Sequence, residues 1–421
     1  MTQGHHTTDA NPTPTSDGGE PAQAGTQAAA RQDVRSHLPI LFLTRSTINT
    51  SFRIVYPFLP SIARGLGISL TAATRLTALR LIGGLGAPFL GLLADRYSRR
   101  RVMEVGLVLF VLASLLLTTG GTFTAAAIAF ALYGVAKALY DPAVHAYVGD
   151  AVPYHERSRA VGILELSWSS GWLLGVPLSG FLIERLGWRA PWGVLLALGL
   201  FSVGLTRVGL PPAPPAVART GERRGVASIV AAWRDLLRRR SVAVMLLTSL
   251  LLTLAIEIPF VMYGAWLEAT FALSFTKLGV ASIVVGVAEA TAEFGSAMIT
   301  DRLGKRRSVL MGLLGLALGL VALPWLARFG LATALAGVAL MILSFEFGIV
   351  SLLPMATELA PDARATLFSL TVMALNVSRI LGAWIGGWLW RWESIGLHAG
   401  AGAACALVGA LVLARGMREI E

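Results

Sequence analysis

Long apolar segments alternate with short polar ones along most of the chain. Twelve of these segments reach the roughly 20 residues that an α-helix needs to cross the hydrocarbon core of a bilayer. They lie approximately at 38–60, 72–95, 102–120, 123–147, 159–186, 190–209, 242–267, 275–300, 307–327, 330–353, 364–390 and 394–415. The pattern predicts an all-α integral membrane protein with about twelve transmembrane helices.

The second half of this pattern repeats the first. Asp95 and Asp301 lie about half a chain length apart, and each follows an apolar segment and opens a basic turn. Several pairs of glycines and prolines have nearly the same separation. Self-similarity on this scale indicates two homologous units of several helices each. We therefore expect two pseudo-symmetric six-helix bundles, residues 38–209 and residues 242–415.

Composition indicates that most of the chain lies within a lipid bilayer. Hydrophobic residues make up 55% of it, charged residues make up 14%, and the mean hydropathy is +0.67. A soluble core cannot enclose this much apolar surface. The net charge of +11 comes largely from short loops and polar ends. We expect no nucleic acid partner, because no folded soluble module offers a basic face.

The basic residues also predict the orientation in the membrane. They cluster after the second, fourth, eighth and tenth apolar segments, and loops rich in Lys and Arg stay on the cytoplasmic side. Both termini are therefore expected in the cytoplasm of a multi-pass plasma-membrane protein. Residues 1–37 lack the apolar core of a signal peptide and are expected to form a disordered cytoplasmic tail. The basic linker 210–241 is expected to include an interfacial amphipathic helix, and residues 416–421 to form a second cytoplasmic tail.

The chain offers few residues for covalent or metal chemistry. Cys405 is the single cysteine, so neither an internal disulfide nor a thiol metal cluster is expected. No zinc-protease, serine-hydrolase or phosphate-loop motif occurs in the sequence. We expect no cofactor, no metal and no enzymatic activity.

The loop after the second apolar segment carries the most specific motif. Its residues are Gly91, Leu93, Ala94, Asp95, Arg96, Arg99 and Arg100. A second copy keeps Asp301, Arg302, Gly304, Lys305 and Arg306. Both copies resemble the loop pattern of major facilitator superfamily (MFS) transporters, although Ser98 and Ala297 replace two glycines of that pattern.

This resemblance covers nearly all of residues 38–415 and implies the MFS fold, with two six-helix bundles that rock against each other. It also implies that the two loops gate the cytoplasmic side. A carboxylate beside arginines can form an ion-pair latch there, and a small residue permits close helix approach. For the arginines alone, the alternative is the bias that keeps positive charge in the cytoplasm.

The fifth apolar segment resembles the glycine pattern of the drug/proton antiporter group of this superfamily. The matching residues are Gly162, Gly171, Gly175, Pro177 and Gly180. Pro177 comes one residue late, and Ser179 replaces a glycine of the pattern. The resemblance implies an exporter. The alternative is that these small residues only form a helix-packing seam.

Ionisable side chains within the apolar segments are candidates for the transport site. A charged group inside a membrane raises the free energy of the protein, so such residues usually have a functional role. Substrate and proton sites are expected at Arg45, Asn49, Arg53, Arg80, Glu165, Glu257, Glu289, Glu293 and Arg379. Most charged candidates of the first half are basic, and most of the second half are acidic. Further polar positions are Lys137, Asp141, His145, Glu346 and Asn376. Lys137 and Asp141, four residues apart, are expected to pair within one helix.

In the proposed mechanism one half binds the substrate and the other half binds the proton. Basic groups of the first half bind an anionic or polar part of the substrate, and a buried glutamate of the second half takes up and releases a proton. Burial disfavours the charged form of a carboxyl group, so such a glutamate can alternate between two states. Glu257 is the first choice, because Ile258-Pro259-Phe260 mirrors Tyr56-Pro57-Phe58 in the first segment. The alternative is that these acids are structural partners of the arginines.

Together these observations predict a secondary active transporter that works by alternating access, with proton-coupled efflux of a small molecule. The alternatives are an importer or uniporter of an organic anion, and a membrane sensor that transports nothing. The expected partners are the lipid bilayer, a small-molecule substrate and the proton. The resemblance to MFS transporters also implies a monomer, because each chain holds both halves and its own cavity. Substrate, direction, coupling ion and stoichiometry stay open at this point.

Overall fold

The computed structural model describes residues 20–86, 97–152, 154–211, 226–360 and 363–417. Within these ranges all regular secondary structure is helical. The α-helices are α1 Glu20–Arg53, α2 Val55–Leu66, α3 Leu70–Leu85, α4 Arg99–Thr119, α5 Phe123–Ala151, α6 Tyr154–Ser170, α7 Val176–Leu186, α8 Ala190–Gly209, α9 Val226–Leu237, α10 Arg240–Phe260, α11 Tyr263–Phe271, α12 Phe275–Ala281, α13 Ile283–Leu303, α14 Lys305–Leu326, α15 Leu331–Leu359, α16 Arg364–Leu389 and α17 Ile395–Gly416. A π-helical turn, Gly171–Gly175, joins α6 to α7.

Ten helical segments of the described ranges are long and apolar enough to cross a membrane. They are Arg99–Thr119, Phe123–Ala151, Arg159–Leu186, Ala190–Gly209, Arg240–Phe271, Phe275–Ser296, Lys305–Phe329, Leu331–Met355, Thr366–Trp392 and Ile395–Gly416. These match ten of the predicted spans, and the predicted all-α membrane fold is confirmed. The predicted span 38–60 is helical as well, within α1 and α2, but it carries Arg45 and Arg53. The predicted span 72–95 corresponds to α3 and continues outside the described residues.

The structure differs from the sequence-based expectation at the N-terminus. Helix α1 begins at Glu20, within the segment 1–37 that was expected to be disordered. The reason lies in the composition of residues 22–32, which are rich in Ala and Gln, both good helix formers. In the linker, α9 provides a helix where an amphipathic one was expected.

Prolines interrupt the first helix of each half at matching places. In the first half the chain departs from helical dihedrals at Phe58, with φ −107° and ψ 16°, directly after Pro57. It does so again between α10 and α11, just after Pro259. Proline lacks the backbone N–H that an uninterrupted helix needs, and its ring crowds the preceding turn. These breaks bend both helices at the level of Tyr56 and Glu257.

Close glycine contacts hold the helices of each half together. A Cβ atom on Gly83 of α3 would overlap the backbone of Gly134 of α5. In the second half, a Cβ atom on Gly312 of α14 would overlap the backbone of Gly348 of α15. Small residues let helix backbones approach closely, which is the main source of packing energy between helices in a bilayer.

The two halves meet at the end of the molecule that lies opposite the basic turns. Arg64 of α2 forms an ion pair with Glu268 of α11, Nη2 to Oε1 at 2.8 Å. Glu184 of α7 accepts a hydrogen bond from the backbone N–H of Thr276 in α12 at 2.7 Å. Beside these polar contacts, Gly264 packs directly on the backbone of Pro57. This end of the interface, named the outer contact below, is therefore closed.

Candidate functional site

A cavity lies between the halves near the middle of the helices. Its empty volume is about 390 Å³, including space open to solvent. Charged and aromatic side chains from both halves line it, together with a few aliphatic ones. The lining residues are Arg53, Tyr56, Trp172, Ile256, Glu257, Phe260, Val285, Glu289, Ile342, Phe345, Glu346 and Arg379. A cavity with a few convergent polar groups in an apolar wall is the usual form of a small-molecule site.

An ion pair between Arg53 and Glu289 joins the two halves inside this cavity. Both residues are buried, with exposed fractions of 9% and 4%. The Arg53 guanidinium also lies against two indole rings, 4.5 Å from the ring centroid of Trp168 and 5.2 Å from that of Trp172. Contact with an aromatic face stabilises a cation, and more so away from water. Arg53 is therefore held by both halves at once.

Three carboxylates form a cluster around this ion pair. The side chains of Glu289, Glu293 and Glu346 each bring one oxygen atom to within 4.8 Å of the others. Oε2 of Glu289 is buried without a hydrogen-bond partner. The sequence places Glu346 among the ionisable candidates for the transport site but does not pair it with Glu289. Its place next to Glu289 depends on how α13 and α15 are turned toward each other, which spacing along one helix does not reveal.

Glu257 lies on the same cavity and is bound to the first half by a hydroxyl group. The Tyr56 hydroxyl donates to its carboxylate, at 3.0 Å from Oε1 and 3.3 Å from Oε2. Gly382 of α16 leaves room for the Glu257 side chain, since a Cβ atom there would lie 2.6 Å from the Glu257 Cβ. Arg379, one turn earlier on the same helix, also lines the cavity. The two matching proline breaks thus bring a carboxylate and a phenol together.

Arg80 lies behind Tyr56 and not on the cavity wall. Its Nη1 donates to the carbonyl oxygen of Phe52 at 2.6 Å, where α1 ends. Its guanidinium is 4.8 Å from the ring centroid of Phe52 and 5.1 Å from that of Tyr56. The contact with the carbonyl group supports the backbone at the break between α1 and α2. Arg80 was expected at the substrate site. In the structure it contacts Phe52 and Tyr56 and does not line the cavity.

Arg45 is likewise turned away from the cavity. It donates to the carbonyl oxygen of Leu164 at 2.7 Å and pairs with Glu165, Nη1 to Oε1 at 3.2 Å. Its Nε lies 3.5 Å from Oδ1 of Asp141. Oδ2 of Asp141 in turn pairs with Nζ of Lys137 at 2.8 Å. Burial of a charge is tolerated when it is paired in this way. These four residues form a charge network within the first half.

Asn49 belongs to the same network. Its Oδ1 accepts from Nζ of Lys137 at 2.5 Å, and its Nδ2 donates to Oγ of Ser167 at 3.0 Å. Nε2 of His145 lies 3.6 Å from Oε1 of Glu165 at the edge of the network. Of the three α1 residues expected at the transport site, Arg53 is the one that lines the cavity. The other two, Arg45 and Asn49, face α5 and α6, because partners there satisfy them.

The described residues of the two basic turns contact neighbouring helices. In the first copy, Nε of Arg99 lies 3.5 Å from Oδ2 of Asp150. Arg100 pairs with Glu104 at 2.9 Å and donates to the carbonyl oxygen of Leu210 at 2.8 Å. Three of the residues expected to form the gate lie outside the described residues. These are Gly91, Asp95 and Arg96.

In the second copy, Asp301 and Arg302 are exposed at the end of α13. Gly304 follows with a φ of 86°, a left-handed conformation that favours glycine. Lys305 is ion-paired with Glu358 of α15, and Arg306 donates to the carbonyl oxygen of Ala414 at 2.9 Å. The basic residues of this copy thus join helices of their own half.

The glycine pattern of the fifth span coincides with a π-helical turn. The backbone N–H of Val176 bonds to the carbonyl oxygen of Gly171, five residues back. Pro177 follows directly, and its missing N–H leaves the preceding turn free to widen. Such π-helical turns are frequent at functional sites. Here the turn carries Trp172 into the cavity wall.

The glycines of this pattern differ in their surroundings. Gly171 and Gly175 pack on α1, against Arg53 and Thr50, and Gly180 packs on Phe275 of the second half. Gly162 is exposed, and a Cβ atom there would meet open space. Three of the four glycines thus have a packing role.

Residues 41–356 match the family model of the Major Facilitator Superfamily. The chain belongs to this superfamily. A curated relative, the uncharacterized MFS-type transporter YceJ of Bacillus subtilis, is 25% identical over 84% of this chain and 88% of its own. Multidrug resistance protein 2 of B. subtilis is 29% identical over 41% of this chain and 44% of its own. The quinolone resistance protein NorA of Staphylococcus aureus is 25% identical over 39% of this chain and 42% of its own.

Solved structures show the same fold. The D-xylose-proton symporter superposes with a TM-score of 0.76, over 92% of this chain and 98% of its own, at 18% identity. The nucleoside transporter NupG gives the same TM-score over 91% of this chain and 100% of its own, at 15% identity. Members of the superfamily are membrane transporters and not enzymes. This MFS protein is therefore a multi-pass membrane transporter with a small-molecule substrate.

Proposed function

We propose that this MFS protein exports a small molecule in exchange for protons, by alternating access of the central cavity to the two sides of the membrane. The observation that carries the proposal is the buried ion pair between Arg53 and Glu289. It joins the halves, and it lies within a cluster of three carboxylates. A proton that binds this cluster changes the attraction between the two halves.

The coupling step follows from the charges around Arg53. With Glu289 ionised, the Arg53 guanidinium is held across the interface, and the first half stays bound to α13. A proton on the cluster relieves the repulsion among Glu289, Glu293 and Glu346, and it weakens the attraction for Arg53. The interface at the middle of the molecule can then loosen, and an incoming substrate can contact Arg53 or the free carboxylates. Release of the proton on the other side restores the ion pair.

Glu257, the first choice from the sequence, becomes the second candidate for the proton carrier, because its partner across the interface is a hydroxyl group and not a charge. Its carboxylate is buried and bound to the first half through the Tyr56 hydroxyl, so its protonation also acts on an interface contact. The two candidates differ in their partners, since a phenol holds Glu257 and a guanidinium holds Glu289. Replacement of each carboxylate by its amide separates them.

Alternating access requires that contacts at one end of the halves break while those at the other form. The outer contact closes one end in this structure. We infer that the basic turns at the opposite end are cytoplasmic, with both termini on that side, and that the cavity of this conformation communicates with the cytoplasm. The Asp95 and Asp301 loops would then close the cytoplasmic side in the next stage of the cycle. A monomer in the plasma membrane suffices for this cycle.

Efflux is supported by the relatives and by one feature of the structure. Two of the relatives are named for resistance to drugs or quinolones. In the fifth span, the glycine pattern that resembles antiporters forms a π-helical turn on the cavity wall. A turn of this kind gives the helix that carries Trp172 a place to bend as the halves move.

Proton movement in proteoliposomes tests the proposal. The purified protein is reconstituted with a pH-sensitive dye inside and challenged with lipophilic cations, neutral drugs and organic anions. Substrate-evoked proton movement that Glu289→Gln abolishes and Glu393→Gln retains supports the coupling step. Glu393 is the matched control, because it is an exposed acid of the same half outside the cavity and outside the gating turns. Substrate flux without proton movement would contradict the coupling.

The alternative of an organic anion carrier rests on Arg379, which lines the cavity beside Glu257. An importer or uniporter of this kind would move anions without acidifying or alkalinising the vesicle interior. It would also lose affinity in Arg379→Gln while keeping it in Glu289→Gln. The same vesicle assay therefore separates the two functions.

A further inference from the structure

Helix α9 lies at the point where the linker enters the second half. It packs against α10 and α16, and Leu236 is buried with an exposed fraction of 2%. A hydrogen bond from the Arg239 N–H to the carbonyl oxygen of Leu236, at 3.0 Å, closes the turn between α9 and the first membrane-spanning segment of that half. Helix α9 is therefore fixed at the boundary between membrane and water, at the end that carries the basic turns.

A second side of α9 is apolar but not covered by the protein. Val230 is 50% exposed and Leu237 is 51% exposed. They are seven residues apart, so they lie almost directly above one another on the helix. Because this side adjoins a segment that enters the bilayer, the apolar pair is placed to contact acyl chains near the headgroups.

Two arginines border this apolar pair. Both are exposed: Arg234 lies on α9 one turn after Val230, and Arg238 lies in the turn directly after Leu237, the last residue of α9. Their long side chains can reach past the apolar pair toward the headgroup level. The acidic Asp235 lies on the far side of the helix from Leu237. The exposed side of α9 is thus apolar along one stripe and carries two arginines along the next, where Asp235 is a neighbour of Arg238.

We propose that Val230, Arg234, Leu237 and Arg238 form a binding site for anionic phospholipid, in which the two guanidinium groups contact the phosphate and the two apolar side chains contact the acyl chains. Arginine forms paired hydrogen bonds with phosphate oxygens. Attraction of a surface arginine to an anionic leaflet corresponds to about 1 kcal/mol, or about fivefold in affinity. The site is independent of the cavity and of proton coupling.

A lipid bound at this site would fix the position of the linker helix relative to the membrane surface. A lipid bound at α9 holds the start of α10 at the membrane surface, and α10 carries Glu257 into the cavity. Anionic lipid is therefore expected to stabilise the second half, whether or not a transported substrate is present.

Native mass spectrometry of the whole protein, purified in detergent and mixed with phosphatidylglycerol or phosphatidylcholine, measures this binding. The wild type is expected to retain phosphatidylglycerol preferentially. The double variant Arg234→Gln/Arg238→Gln is expected to lose about fivefold in preference for each arginine at low salt. Arg234→Lys/Arg238→Lys, which keeps the charge, is expected to retain most of it.

The matched control is Arg185→Gln/Arg391→Gln. It removes the same charge from two exposed arginines at the opposite end of the molecule, and it is expected to leave the preference unchanged. An equal loss in this control, or an unchanged preference in the α9 double variant, would overturn the proposal. Displacement of the lipid by inorganic phosphate at constant ionic strength would instead indicate a free-phosphate site, and would also overturn it.

Discussion

Arg53 of α1 and Glu289 of α13 form a buried ion pair, although 236 residues separate them in the chain. The pair is the place where the basic character of the first half meets the acidic character of the second. It also lies between two tryptophans and two further glutamates. A change in the charge of this pair therefore alters the electrostatic interaction between the two halves.

Glu289→Gln is expected to abolish substrate-evoked proton movement and to destabilise the protein. Removal of one partner from a buried ion pair leaves the other charge uncompensated, which costs about 3–5 kcal/mol. The double variant Arg53→Gln/Glu289→Gln removes both charges, so it is expected to recover much of this stability without recovering coupling. Thermal unfolding in detergent measures the first quantity, and the vesicle assay measures the second. Recovery of proton movement in the double variant would show that the pair is only structural.

Much of this site was visible in the sequence, because a charged residue stands out in an apolar segment. Arg53, Glu257 and Glu289 were expected at the transport site, and all three line the cavity. The rotation of each helix was not visible. Arg45 and Asn49 were expected at the same site as Arg53, yet they pair with residues of α5 and α6.

The fold was more predictable than the site. A bilayer requires segments of a minimum length, and ten segments of the described ranges meet that requirement. Local departures from regular helix were harder to predict. The prolines indicate the breaks near Pro57 and Pro259, but the π-helical turn Gly171–Gly175 depends on how α6 and α7 pack on α1. The helical start at Glu20 depends on the helix propensity of the Ala- and Gln-rich residues that follow it, which hydropathy does not reveal.

Tyr56→Phe separates the roles of Glu257 and its partner. The change removes the hydroxyl donor and keeps the ring, so it is expected to cost about 1 kcal/mol of stability and to leave proton movement within about threefold of the wild type. Glu257→Gln is expected to reduce substrate affinity more than Tyr56→Phe does, because it also alters the charge beside Arg379. Paired binding and proton-flux titrations of the two variants check this. Loss of proton movement in Glu257→Gln, with coupling kept in Glu289→Gln, would assign the carrier to Glu257.

The Asp301 turn is expected to control closure on its side of the membrane. Asp301→Asn keeps the size of the side chain and removes the charge next to Arg302, so transport is expected to fall at least tenfold while substrate binding changes little. Asp235→Asn, an exposed acid of the linker helix, is the control for a loss of surface charge. Transport is measured as substrate flux and binding by equilibrium titration. Unchanged flux in Asp301→Asn would remove the basis for a latch in this turn.

The outer contact is expected to set which conformation predominates. An exposed ion pair such as that between Arg64 and Glu268 contributes about 0–1 kcal/mol. The Glu184 carboxylate adds a hydrogen bond from the backbone N–H of Thr276 across the same contact. Glu184→Gln combined with Glu268→Gln is therefore expected to shift the population toward the conformation open at this end by up to about fivefold.

Spin labels at Arg185→Cys and Lys277→Cys, two exposed positions on opposite sides of the outer contact, report this shift as a longer distance. Cys405→Ser removes the native thiol from the background. The charge-swapped pair Arg64→Glu/Glu268→Arg keeps the attraction and is expected to retain the short distance, which separates the ion pair from a general effect of mutation. An unchanged distance distribution in the Glu184→Gln/Glu268→Gln variant would mean that glycine packing, as at Gly264 on Pro57, is enough to keep this end closed.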